Sequence, residues 1–250
     1  MYRKQILFRL SVILGILGLA TLVGCDLNNS TETFSEEEVV EMMAADLASE
    51  GGEMSTLDDI SDSPPETESF NETTRALDGT YVDWERTYSL TIAEVPSDSD
   101  DYTIEGTVTG SADRPRIDSE FTSVTDLTAT DWVVDGATFT VNGTVSRNGT
   151  IEYESLFREA TRATQSNVTY TYQDVVFNDE SSAPTAIGGT LIAEGSFIHE
   201  ADRVQGTRQI EWSGTVVFEF DEGTVTAHVE DSSSSYTVNL GAGNDDDLVE

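Results

Sequence analysis

The sequence predicts a mainly β fold: a single antiparallel meander of about nine long strands, curved or rolled into an open up-and-down barrel and preceded by one short helix. Three observations predict it. Apolar and polar side chains alternate with period two over long stretches from about Thr80 onward, short turn-forming segments separate these stretches, and no helical run lies between them. Parallel strands need long crossover connections, so their absence leaves an antiparallel sheet. The same strands could also pack as a two-sheet β-sandwich, which is the alternative.

Residues 1–24 open with Arg3, Lys4 and Arg9 and continue as an uncharged apolar run from Leu10 to Val23. This is the layout of a signal peptide. The run is shorter than the roughly 20 apolar residues of a spanning helix and leads into a strongly acidic chain, so a targeting role is expected. At its end stand Leu22-Val23-Gly24-Cys25, an aliphatic residue followed by a small residue directly before a cysteine. This resembles the lipobox of bacterial lipoproteins, and the resemblance covers about a tenth of the chain. It implies that Cys25 receives a diacylglyceryl group, that the chain is cut before it, and that the new amino terminus is acylated. Several acyl chains would make a stable membrane anchor.

Residues 25–74 read as an acidic tether rich in Ser, Thr, Asp and Glu, with Pro64-Pro65 inside it. Within it, Ser35-Glu36-Glu37-Glu38 has the form of a capping box. Val39, Val40, Met43, Ala44 and Leu47 follow at helical spacing before Gly51-Gly52, which predicts a short helix near 36–50. An acidic helix lacks the cations that interfacial helices use, so its apolar face is expected to pack on the sheet.

Residues 75–242 form the expected β domain, and 243–250 an acidic tail. The first strand carries Val82, Trp84, Arg86, Tyr88, Leu90 and Ile92 on one face. The pattern recurs at Tyr102 to Thr109, Ala137 to Ser146, Ile151 to Phe157, Val168 to Phe177, Ile187 to His199, Ile210 to Phe220, Thr224 to Glu230 and Tyr236 to Leu240, while Ile117 to Trp132 is ambiguous. Phe139, Val141 and Val145 share odd parity with Ile151, Tyr153 and Phe157, which predicts an odd-length hairpin loop at Arg147-Asn148-Gly149. Phe218 and Phe220 are even while Val225, Ala227 and Val229 are odd, which predicts a two- or four-residue loop around Asp221-Glu222-Gly223-Thr224.

The chain holds 48 acidic and 12 basic residues. Removing residues 1–24 takes three of the basic ones and no acid, leaving nine arginines, no lysine and a net charge of −39. Such a surface repels itself at low ionic strength and is screened in concentrated salt, and the composition resembles that of halophile proteins. Nucleic acid and anionic membrane surfaces are disfavoured as partners, because each requires a basic patch.

One cysteine permits no disulfide framework. His199 and His228, the only histidines, have no metal-ligand or nucleophile-base spacing. Glu152 and Glu154 could act as a glycosidase pair, but so many acids make such pairs inevitable. Asp98, Asp100 and Asp101, and likewise Asp245, Asp246 and Asp247, lack the ordered spacing of a calcium loop. No catalytic, metal or cofactor residues are therefore assigned, and Asn142-Gly143-Thr144 and Asn148-Gly149-Thr150 are read as strand and turn residues without glycans. One constellation could line a ligand cavity: Arg86 between Trp84 and Tyr88, with Arg208 on the same parity as Trp212.

The expected function is that of a lipid-anchored cell-envelope protein, a non-catalytic binding or scaffold module for a small hydrophobic ligand or an envelope protein. The alternatives are an envelope hydrolase using carboxylates and a structural surface or adhesion component. The expected address is the periplasmic or cell-surface face, with the outer membrane favoured over the inner.

Overall fold

Long stretches of alternating side chains can bury one face only by lying side by side, and the chain does so in one sheet. The computed structural model describes residues 34–48, 69–70, 73–77, 84–95, 100–114, 117–132, 138–154, 161–178, 185–203, 206–222, 224–238 and 240. The expected signal segment, Cys25 and the expected acidic tail lie outside the described residues.

Helix α1 spans Glu36–Ala48. The strands are β1 (Ser69–Phe70), β2 (Thr73–Leu77), β3 (Trp84–Glu94), β4 (Tyr102–Arg114), β5 (Ile117–Thr130), β6 (Thr138–Glu154), β7 (Thr161–Asn178), β8 (Thr185–Arg203), β9 (Gly206–Asp221), β10 (Thr224–Val229) and β11 (Tyr236–Val238). From β3 to β11 the sheet order follows the sequence, and every pairing is antiparallel. β1 and β2 lie on the free side of β3, against its C-terminal and N-terminal halves respectively. The described strands do not close into a barrel, and the single sheet replaces the two-sheet alternative. The nine-strand meander is as expected, but the sheet reaches back to Ser69, before the expected boundary at residue 75.

Two errors in the expected strand list cancel. No hairpin turn forms at Arg147-Asn148-Gly149: β6 runs straight through these residues, pairing Arg147 with Ser123 and Gly149 with Phe121. The equal parity on either side is what an uninterrupted strand produces. The ambiguous stretch from Ile117 is a strand in its own right, β5, whose inward face holds Ser119, Ser123 and Thr125 beside Phe121, Leu127 and Ala129. Those buried hydroxyls hide the apolar alternation. The hairpin between β9 and β10 is as expected: Thr224 pairs with Asp221 across the two-residue loop Glu222-Gly223, and Phe220 faces Val225. Glu222 adopts the left-handed φ of 47° that opens such a turn.

The core lies on one face. One row across the sheet reads Ile92, Ile104, Leu127, Tyr172, Leu191, Phe218 and Ala227, with Gly143 between Leu127 and Tyr172. Gly143 has φ 122°, and a Cβ there would press on the Asp126 carbonyl, so only glycine fits. Beside it Asn142 stands opposite both Gln173 and Asp174, a bulge held by Asp174 N–H donating to Asn142 Oδ1 at 2.8 Å and Asn142 Nδ2 donating to Asp174 Oδ1 at 3.1 Å. The extra residue switches the buried parity of β7 from Tyr170 and Tyr172 to Val175 and Phe177. Tyr102, Trp132, Phe139 and Phe177 close one end of the core as a continuous aromatic chain with centroids 5.3–5.7 Å apart.

Helix α1 packs on the apolar face between β11 and β6. The expected capping box is present: Ser35 N–H and Oγ donate to Glu38 Oε2 at 2.8 and 2.9 Å, and Glu38 N–H donates to Ser35 Oγ at 3.3 Å. Val39, Val40, Met43 and Leu47 are fully buried in the core, so the helix packs on the sheet as expected. Its N-terminal end is tied near β11, where Ser232 Oγ donates to Glu36 Oε2 at 2.7 Å. Near its other end Asp46 meets Arg147 of β6 and Tyr170 of β7. Thirteen residues span about 20 Å, which matches about four strand spacings, so the helix crosses the strands.

Candidate functional site

Because α1 occupies the apolar face, the open surface of the sheet is its other side. There the strand register builds a ladder that no single stretch of sequence displays. Thr87, Thr109, Thr122, Asn148, Asn167 and Ser196 are successive register partners, one on each strand from β3 to β8. Every member carries a neutral hydroxyl or carboxamide that can donate and accept hydrogen bonds. Two residues along the strands runs a second row, Ser111, Glu120, Thr150, Gln165 and Ile198.

Both rows line one groove of about 730 Å³. Its floor between the rows is formed by Gly110, Phe121, Gly149 and Ser166. Alternation along the strands turns the Phe121 side chain to the opposite face, where it is buried. A side chain at Gly110 would point the same way, away from the groove, where a Cβ would meet the Phe121 ring. Six strands set the groove's length at about 24 Å, and the spacing of alternate residues sets the rows about 7 Å apart. Glu120 is the one charged residue among the fifteen that line it. The same face is acidic elsewhere, with exposed Glu105, Asp126, Glu194 and Glu219.

Beneath the groove, on the buried face, lies the strongest electrostatic feature of the described residues. Arg147 is 5% exposed, with its guanidinium carbon 3.8 Å from the centre of the Phe121 ring and its Nε 3.2 Å from Asp46 Oδ1. Tyr170 OH donates a hydrogen bond to Asp46 Oδ2. The Nε contact is a charge contact without aligned hydrogen-bond geometry. The trio pins helix to sheet directly behind the groove floor. Sequence reading missed it because Arg147 was assigned to a turn.

Of the residues expected to line a ligand cavity, only Tyr88 and Trp212 have described side chains. Tyr88 is buried in the core, and Trp212 is half-buried beside Phe197, with ring centroids 6.0 Å apart. The backbone of Arg86 pairs with Gly110 and heads a row that ends, five intervening strands later, at Trp212. The side chains of Trp84, Arg86 and Arg208 lie outside the described part.

His199 shares a contact of 3.0 Å between its Nδ1 and Thr164 Oγ1, and burial first, then the Arg162 charge, lower its pKa below the usual imidazole value. His228 pairs across to Val217 and is half-buried. Of the loop acids, Asp98 and Asp245, Asp246 and Asp247 lie outside the described residues; the Asp101 carbonyl accepts from Val95 N–H at 2.8 Å, the Asp100 carbonyl accepts from Trp132 N–H at 2.9 Å, and Asp101 Oδ1 accepts from Asp131 N–H at 3.3 Å. Among the described residues no three His, Cys, Asp or Glu side chains converge on a metal position. No protein-family model, curated protein or solved structure matches the chain.

Proposed function

We propose that this protein is a lipid-anchored, non-catalytic binding module of the cell envelope, cut before Cys25 and displayed above the membrane by the acidic segment that follows. The outer membrane is the favoured address. Support for the anchor is the agreement of a basic start, an uncharged apolar run and the chain's sole cysteine at the run's end.

The observation that carries the binding role is the division of the sheet into two faces with different fates. The apolar face is occupied by the chain's own helix, so a hydrophobic ligand there would have to displace Val39, Val40, Met43 and Leu47 from full burial. The polar face keeps an open, ordered groove. A carboxylate-based hydrolase uses two acids across the scissile bond, whereas the groove contributes Glu120 alone.

The anchor is tested by growing expressing cells with labelled palmitate and separating membranes from soluble proteins. The wild-type chain is expected to carry label and sediment with membranes, and Cys25→Ser to lose the label and appear in the soluble fraction. Unlabelled wild-type protein, or a serine variant that remains membrane-bound, would refute the anchor.

A further inference from the structure

We infer that the groove binds a neutral, linear, hydroxyl-rich chain, a stretch of polysaccharide lying across the strands. The inference rests on the binding role proposed above and assigns that role a ligand class.

The first argument is charge. On a mature chain of net charge −39, a groove with one carboxylate and no cation is a local exception. An anionic ligand would find no positive partner and would be repelled by the surrounding surface. A cationic ligand would find its better sites among the exposed acids outside the groove. A neutral ligand is the one class that the lining suits and the surface does not oppose.

The second argument is periodicity. The ladder from Thr87 to Ser196 offers one neutral donor-acceptor side chain per strand, at the strand spacing of about 4.8 Å. That interval is close to the length of one sugar residue in an extended glycan, so each strand can meet the hydroxyls of a successive sugar. An extended peptide repeats at about 3.3 Å per residue and would fall out of step. It would also find its natural partner at a strand edge, through backbone hydrogen bonds. The groove length of about 24 Å accommodates about five sugars at the strand interval.

The third argument is shape. The groove is long, crossing the six strands from β3 to β8, which suits a chain passing through better than an isolated small molecule. Its lining presents hydroxyls and carboxamides in place of an aromatic stacking platform, so single-site affinity rests on hydrogen bonds and is weak. Many copies held in one membrane plane would compensate by engaging one long polymer together.

The test uses the whole mature protein in a detergent without a sugar headgroup, titrated with neutral linear hexamers of α-glucose, β-glucose and N-acetylglucosamine. Parallel titrations use an oligogalacturonate and an unstructured peptide, with binding followed by amide chemical-shift changes. At least one neutral hexamer is expected to bind, and more tightly than its dimer. Asn148→Ala combined with Asn167→Ala is expected to weaken it about tenfold. Thr122→Glu should do the same by replacing a hydroxyl of the ladder with a second carboxylate in the groove, and Thr226→Ala outside the groove should change nothing. All four positions are at least partly exposed, so the variants should fold, and a thermal melt checks this.

Polysaccharide extracted from the producing cell forms a further arm: binding to it identifies a self ligand, and binding to the added hexamers alone identifies a foreign one. Absence of binding by every neutral glycan, tighter binding of the acid or the peptide, or indifference to the groove variants would each overturn the inference. None of these results bears on palmitate labelling, so failure of the ligand class and failure of the anchor are distinguishable.

Discussion

Asp46 holds the balance of charge behind the groove floor. Its carboxylate meets the Arg147 guanidinium and the Tyr170 hydroxyl, and it does so where helix and sheet touch. Removing one partner of a buried ion pair costs far more than replacing both, because the remaining charge stays desolvated. Asp46→Ala is therefore expected to destabilise the fold by about 3 kcal/mol in urea unfolding. Asp46→Leu combined with Arg147→Met should recover to within about 1 kcal/mol of wild type. A double variant as unstable as the single one would show that packing, and not charge, decides the site. His199 supplies a second prediction at this scale. Its folded pKa lies below the ordinary imidazole value of 6.5, so the unfolded chain binds the proton more readily. The stability His199 contributes is present above pH 6.5 and is lost as pH falls from there toward the folded value. Glu41 works in the opposite sense: burial first, then Glu37 and Glu38, raise its pKa above 4.5, and stability is lost as pH rises through the folded value. Melting temperatures of wild type and His199→Gln should therefore diverge between pH 7.5 and pH 5.5, with the variant falling less. Parallel curves would remove His199 as the cause.

The elements show where sequence reading succeeds and where it stops. Helix α1 was legible because its signals are local: a Ser-x-x-Glu box and apolar residues at three- and four-residue spacing sit within thirteen residues. Ser35→Ala should cost about 1 kcal/mol in urea unfolding by removing the cap; no loss would place the helix's stability in packing alone. Strand β6 was misread at Arg147-Asn148-Gly149, because Asn-Gly is a strong turn signal and a charged residue seldom faces a core. The parity of Phe139, Val145 and Ile151 already agreed with a continuous strand, and a buried partner for Arg147 on a distant helix is what overrode the turn chemistry. Strand β5 was obscured by inward hydroxyls, and the bulge at Asp174 reversed the parity of β7 partway along its length. Gly143 marks the partner side of that bulge, and Gly143→Ala should cost about 1–3 kcal/mol through its φ of 122°, read as a lower urea midpoint.

The groove was invisible in the sequence for a reason that belongs to the whole molecule. Each of its threonines and asparagines is an ordinary outward residue of a half-buried strand, and only the register across six strands aligns them into rows. The aromatic and arginine constellation stands out in the sequence because its members are unusual residues, and its backbone positions lie on β3 and β9. The whole chain is also governed by its charge. At −36 the folded state confines repulsion that the unfolded chain relaxes, and salt shortens its range from about 10 Å at 0.1 M to about 3 Å at 1 M. Melting temperature is expected to rise steeply between these concentrations in both sodium and potassium chloride. A flat response would mean that the acids are spaced widely enough not to matter.

The division of labour between the two faces depends on α1 being part of the core in solution. An isolated helix of thirteen residues is marginal in water, so lasting protection of its amides must come from packing on the sheet. Amide hydrogen exchange of the full mature protein reads this directly. Amides between Val39 and Leu47 are expected to exchange as slowly as those of Tyr170 and Leu191 in the central strands. Exchange of these helical amides at free-peptide rates would mean that the apolar face stands open, and would return ligand binding to the side of the sheet assigned here to the helix.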